Sequence, residues 1–322
     1  MSRQDVKDEV IHLRSTGVDL GKRILLACVR TPSTTRAGTW SLETERLATT
    51  RPEVRRLLAW RVERQVDVVV MEATADYWCG VYYLLQPQLN LMLVNPSHLE
   101  GIRSRKSDPI DAAFLARAGA SGMVMASFVP SRMVRELRDL TRRRTELLRS
   151  AGREVQRLEK ELEDTGMKLT SVLTDVAGKT GRTILVALAA LAALVALVAL
   201  VAGERYRERL ADLAVGKTRA KIPALIEALD GDFTDHHAFM VQHYLDEADR
   251  FKETVAVFDI RIATLLSEHE QDLDLLDTVP GIGRMTTEIV FAETGGDMGQ
   301  FATAHHLASW IGSARSRRSR QG

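Results

Sequence analysis

Residues 66–71 run Val-Asp-Val-Val-Val-Met, apolar at every position but one, and are followed at once by Glu72. So short and β-branched a run predicts a strand buried on both faces, and such strands lie inside sheets covered by helices on either side. The flanking sequence supplies the other layers. Residues 10–13 with Val18 predict a first strand broken near Gly17, residues 23–30 a second, and residues 38–43 a third. Pro52 opens a helix with Val54, Leu57, Leu58, Arg61 and Val62 at helical spacing. A short helix over 77–85, a strand over 89–94 stopped by Asn95-Pro96, and a helix over 109–119 complete the unit. Three hairpin-like strands followed by alternating helices and strands predict an α/β RNase H-like layered sheet over residues 9–125.

From Ser131 the pattern changes to long helix. Leu137, Thr141, Arg144, Leu148, Ala151, Val155, Leu158 and Leu162 alternate at spacings of four and three, a heptad seam that requires a partner helix. Residues 238–266 repeat Met240, Tyr244, Ala248, Phe251, Val255, Phe258, Ile262 and Leu265, and predict an antiparallel partner. The seam equally supports self-association into a homo-oligomer. A helical coiled-coil stalk over 130–270 is therefore expected, then a small α-helical C-terminal domain over 271–322.

Within the stalk, residues 184–202 form an unbroken apolar run, long enough to count as a membrane-span candidate. It is mostly Ala, Leu and Val, lacks an aromatic belt and has charged flanks without sidedness. The reading adopted is a low-complexity insert lengthening a soluble helix, with no membrane partner; a membrane-anchored protein is the competing one.

A net charge of +1 does not advertise a nucleic-acid partner, but its distribution is uneven. Nine arginines fall within residues 131–157, and Arg315, Arg317, Arg318 and Arg320 crowd the end. Such stripes suit a polyanion, and solvated helix faces produce them too. Cys28 and Cys79 stand far apart without ligand spacing, which argues against structural zinc. The mixed-charge start without an apolar segment, together with the cysteine usage, points to the cytoplasm. His236, His237, His305 and His306 form two adjacent pairs whose side chains diverge on a helix, a poor basis for shared metal ligation.

Four acids stand where a sheet of this kind would gather them. Asp19 lies at a strand end before a glycine turn, Glu72 ends the valine strand, and Asp108 and Asp111 share one face at a helix start. Converging carboxylates repel one another unless a cation compensates, and hard divalent ions such as Mg²⁺ or Mn²⁺ prefer oxygen ligands. Paired ions support phosphoryl transfer. Each acid also has a plainer reading: Asp108 as an N-cap before Pro109, Asp111 at a helix dipole, Asp19 in a turn, Glu72 in an ion pair. Lys22 and Lys106 adjoin the set, as phosphate contacts or ordinary surface lysines. Pro280-Gly-Ile-Gly283 has the form of a helix-hairpin-helix turn, in which Gly281 and Gly283 let backbone amides approach a phosphate.

The segments Gly17-Val-Asp-Leu-Gly-Lys22, Met71-Glu-Ala-Thr-Ala-Asp-Tyr-Trp78, Val94-Asn-Pro-Ser97 and Arg105-Lys-Ser-Asp-Pro-Ile-Asp-Ala-Ala-Phe-Leu-Ala116 together resemble the insertion sequence 110 family of transposases. Residues 276–284 and 301–312 extend the likeness. The resemblance implies a RuvC-like DEDD catalytic domain with Asp19, Glu72, Asp108 and Asp111 as catalytic metal ligands. It further implies DNA partners (element ends and target), a structured guide RNA encoded by the element, and a homo-oligomer. The family continues beyond a Trp-x-Gly step into a segment bearing a nucleophilic serine. Here the sequence leaves that pattern after Gly312, so the nucleophile is carried onto none of Ser313, Ser316 and Ser319, and a frameshift or early stop is the plainest account. The expectation is a DNA transposase with impaired strand exchange. The alternatives are a RuvC-like structure-specific nuclease and a catalytically inactive DNA-binding remnant.

Overall fold

The computed structural model describes residues 10–96, 108–198, 206–308 and 310, without side chains at 108–110 and 193–198. The chain divides into two compact units, one ending at Val129 and the other beginning at Pro130.

The first unit is a mixed five-stranded sheet in the order β3-β2-β1-β4-β5. Strands β1 (Ser15–Leu20), β2 (Ile24–Pro32) and β3 (Trp40–Ala48) form an antiparallel meander. Strands β4 (Val68–Glu72) and β5 (Leu91–Val94) continue it in parallel from the other edge of β1. Every residue of β4 is buried, as the valine run requires. Helices α1 (Arg51–Glu63) and α2 (Tyr77–Leu85) cover one face, where Val18, Leu25, Val69 and Met71 pack with Val54, Leu57, Val81 and Leu85. Burying side chains of this size stabilises the fold by about 1.5–3 kcal/mol each. Helix α3 (Asp108–Ala120) covers the other face, with Leu115 and Ala118 against Val68, Val70 and Val94. The expected break at Gly17 does not occur: β1 runs straight through it, and residues 10–13 precede the strand.

The second unit is helical. Helix α4 (Arg132–Asp164) is capped by the Ser131 side chain, which accepts from the Val134 amide. It lies antiparallel to α9 (Asp235–Leu266): Leu137 packs with Ile262 and Leu266, whereas Leu158 and Leu162 pack with Val241 and Leu245. The seam of α4 thus meets its partner within the chain. On α9 the buried stripe is Ala238, Val241, Leu245, Ala248, Val255, Ile262 and Leu266. Of the expected stripe only Ala248, Val255 and Ile262 are buried; Met240, Tyr244, Phe251, Phe258 and Leu265 are half-buried flanks. Large side chains cover the edges of a close helix contact more readily than they fill its centre. On α4 likewise, Leu147 and Glu154 are buried while Leu148 and Val155 sit half-buried beside them.

Between the long helices run α5 (Leu169–Val172), α6 (Lys179–Val198), α7 (Tyr206–Ala211), a 3₁₀ turn (Gly216–Lys221) and α8 (Ile222–Ala228). Ile184, Leu185 and Leu188, the start of the apolar run, are buried in the cluster these elements form with α4 and α9. Among the described residues no helix is long and apolar enough to cross a membrane. Helices α10 (Glu270–Asp277) and α11 (Arg284–Thr294) close the other end, with Leu273, Phe291 and Ala292 against Leu137, Ile262 and Leu266.

One residue of the first unit runs against its surroundings. Arg61, on the core face of α1, is 1% exposed, and none of its guanidinium nitrogens has a hydrogen-bond partner. Burial pushes its pKa down to about 9. An uncompensated buried charge is destabilising, and an apolar side chain of similar volume relieves it. Arg61→Met is therefore expected to raise unfolding stability by about 1–4 kcal/mol at neutral pH. The unfolded chain holds this proton up to the ordinary arginine range, so the folded-state penalty is full below pH 9 and shrinks above it. The stability gap between variant and wild type, measured by denaturant unfolding, is accordingly expected to narrow as pH rises past 9.

Candidate metal centre and nucleic-acid contacts

Two acids leave neighbouring parallel strands side by side. The β1–β4 register sets Val18 opposite Met71, so the next residues, Asp19 and Glu72, stand together at the strands' C-terminal ends. Adjacent strands lie about 4.8 Å apart. Side chains alternate along a strand, and Val18, Leu20 and Met71 face α1 and α2. Gly17, Asp19 and Glu72 therefore belong to the face that α3 covers. Glu72 is 8% exposed and Asp19 half-buried.

The direction of α3 brings in the remaining pair. At its C-terminal end the Ala120 carbonyl accepts from the amides of Ile11 (2.8 Å) and His12 (3.1 Å), just ahead of β1. Nearer its start, Ala112, Leu115 and Ala116 lie against Gly17. Helix and strand are thus antiparallel, and the first turn of α3 is directed toward the sheet end where Asp19 and Glu72 emerge. Asp111 is half-buried beside Ala112; Asp108 begins the helix, and its side chain lies outside the described residues. Gly17 permits this seating. A Cβ there would come within 2.0 Å of the Ala112 carbonyl oxygen and 2.5 Å of the Ala116 nitrogen. Lys22 is exposed at the same sheet end, in the hairpin closed by Gly21 N–H to Ile24 O at 2.9 Å. Lys106 lies outside the described residues.

Among the described residues, no three His, Cys, Asp or Glu side chains form a group able to hold a metal ion. Asp19, Glu72 and Asp111 by themselves therefore do not close a coordination sphere. In chemistry the donor set suits a hard divalent cation: every donor is a carboxylate oxygen, and one acid is almost wholly withdrawn from water.

In the second unit, residues 278–283 join α10 to α11 as a tight turn. Gly281 adopts φ +85°, open to glycine at little cost, and Gly283 is the N-cap of α11. Both are exposed, with open space where a Cβ would stand. Arg284 follows, donating to Glu270 at 2.9 Å and Glu288 at 3.3 Å. The bond to Glu270 raises the arginine pKa above its ordinary value and holds the Glu270 carboxyl below its own.

The arginine run of α4 is largely engaged inside the protein. Arg138 donates to the carbonyls of Ala292 and Glu293, Arg142 binds the Glu293 carboxylate through two bonds of 2.9 Å, and Arg144 is buried against Asp259 and Glu288. Arg132, Arg143 and Arg157 pair with glutamates on their own helix. These contacts go to acids as far as 155 residues away, so the stripe is first an internal fastening.

Two family models match the chain: one of DEDD transposases, described as Transposase, over residues 16–167, and one described as Transposase IS116/IS110/IS902 family, over residues 273–319. The chain belongs to this family of transposases, enzymes of DNA recombination. Among solved structures it is similar to Thermus thermophilus RuvC, with 15% identity over 35% of this chain and 98% of that one, at a TM-score of 0.27. T. thermophilus RuvC in complex with a Holliday junction substrate gives 14% identity, coverage of 36% and 100%, and a TM-score of 0.26. Scores this low add nothing to the account of the fold. No curated protein matches.

Gly17→Ala is expected to force α3 off β1, since helix backbone rather than a flexible side chain blocks the added methyl. A loss of about 1–3 kcal/mol or more in denaturant unfolding is expected. Stability equal to wild type would show that α3 does not seat on Gly17.

Proposed function

We propose that this transposase cuts DNA strands at the ends of a mobile element in a divalent-metal-dependent reaction, in the cytoplasm. Asp19, Glu72, Asp108 and Asp111 would hold Mg²⁺ or Mn²⁺ in an RNase H-like domain spanning residues 9–125. The observation that most supports this is the seating of α3 on Gly17, which turns the helix start toward the strand ends bearing Asp19 and Glu72. When bound, paired ions supply activation of an attacking oxygen and stabilisation of the leaving one. Asp19 and Glu72 contribute rigid oxygens from the sheet. Asp108 and Asp111 would contribute theirs from the start of α3.

The remaining roles rest on the family. Element-end and target DNA would lie with its backbone on Gly281 and Gly283 in a C-terminal domain over 271–322, and within the N-terminal domain Lys22 and Lys106 would contact phosphate. A helical coiled-coil stalk would span residues 130–270. A structured guide RNA and a homo-oligomer complete the reading.

Full-length Asp19→Asn and Glu72→Gln are expected to fold like wild type, to bind Mn²⁺ more weakly by calorimetry, and to lose metal-dependent DNA nicking by at least about a hundredfold. Wild-type Mn²⁺ affinity and nicking in both variants would exclude this carboxylate set.

A further inference from the structure

The geometry points to Arg144 as a positioning residue for the Gly281–Gly283 turn, an inference that rests on reading that turn as a DNA-backbone contact. Arg144 projects from the middle of α4 with its side chain 3% exposed. Its Nη1 donates to Glu288 Oε2 of α11 at 2.5 Å and to Asp259 Oδ1 of α9 at 2.9 Å. The other Glu288 oxygen accepts from Arg284 Nε at 3.3 Å, and Arg284 Nη2 donates to Glu270 Oε1 of α10 at 2.9 Å. Charges of alternating sign thus run Asp259, Arg144, Glu288, Arg284, Glu270. The line starts in the α4–α9 seam and reaches the first helical residue after Gly283.

A buried cation is a poor source of stability, because desolvation offsets most of the attraction. Arg144 bears this out, since its Nε and Nη2 are buried without hydrogen-bond partners. Its directional bonds instead fix where Glu288, and with it the start of α11, can sit. The far end of α11 is held independently by Arg138 and Arg142 on Glu293 and by Phe291 in the core. Removing Arg144 therefore leaves the helix docked at one end and free to pivot at the other, and that pivot misaligns the amides of the turn. Arg144 itself is too deeply buried to touch a phosphate.

The test measures binding of the full chain to a short DNA duplex of mixed sequence at several salt concentrations. Arg144→Met is expected to weaken binding roughly tenfold with an unchanged salt slope, because no phosphate contact is lost. Gly281→Ala is expected to weaken it as well, and the double variant no further than the weaker single, the signature of one shared pathway. Arg144→Met/Glu288→Met, which removes the stranded carboxylate, is expected to restore the thermal midpoint without restoring affinity. Affinity that returns together with the midpoint would show Arg144 to be structural only and overturn the inference. So would wild-type binding by Arg144→Met while Gly281→Ala is weakened. Wild-type binding by Gly281→Ala would instead sink the reading of the turn itself, and this inference with it.

Discussion

The contact on which the N-terminal unit depends is that of helix α3 with the backbone of β1 at Gly17. With the Ala112 carbonyl oxygen 2.0 Å from where a Cβ would stand, helix and sheet meet backbone to backbone. Close packing of this kind leaves little freedom of pose, because interiors are packed at crystal-like density. It sets the height of the α3 start relative to the strand ends, and the β1–β4 register sets Asp19 beside Glu72. Sheet order, strand register and one missing side chain together decide where the acids stand.

The second unit solves a different problem, the holding of a short helical hairpin on a long one. Apolar contacts from Leu137, Ile262 and Phe291 supply adhesion, and arginines on α4 supply direction. Arg138 and Arg142 take the C-terminal end of α11, whose unpaired carbonyls and negative dipole suit cations. Arg144 takes Glu288 one turn into the same helix. Charge concentrated on one helix need not serve a polyanion when its partners are distant acids of the same chain.

How much of this was legible depends on the range of the interaction. The β4 strand, the α3 helix and the acid positions follow from local pattern, since burial on both faces and helical spacing leave marks within a few residues. The α4 seam was legible for the same reason. The α9 stripe came out displaced because the aromatic residues Tyr244, Phe251 and Phe258 outweigh Ala238, Val241 and Leu245 in a pattern, yet the latter occupy the contact. Gly17 looked like a strand break because glycine marks both a break and a close approach, and only the helix lying on it distinguishes the two. The arginine run gave no hint of its use, because Glu288 and Glu293 lie some 150 residues away. Arg61 was visible on the apolar face of its helix, but its lack of any hydrogen-bond partner belongs to three dimensions alone.

The central claim is that four carboxylates meet at one sheet end around divalent cations. Anomalous scattering from crystals of the full chain grown with Mn²⁺ tests it most directly. The account predicts a peak about 2.2 Å from carboxylate oxygens of both Asp19 and Glu72, on the face covered by α3 and beside its first turn. Manganese bound only elsewhere, with Asp19 and Glu72 free of it at saturating concentration, would contradict the account.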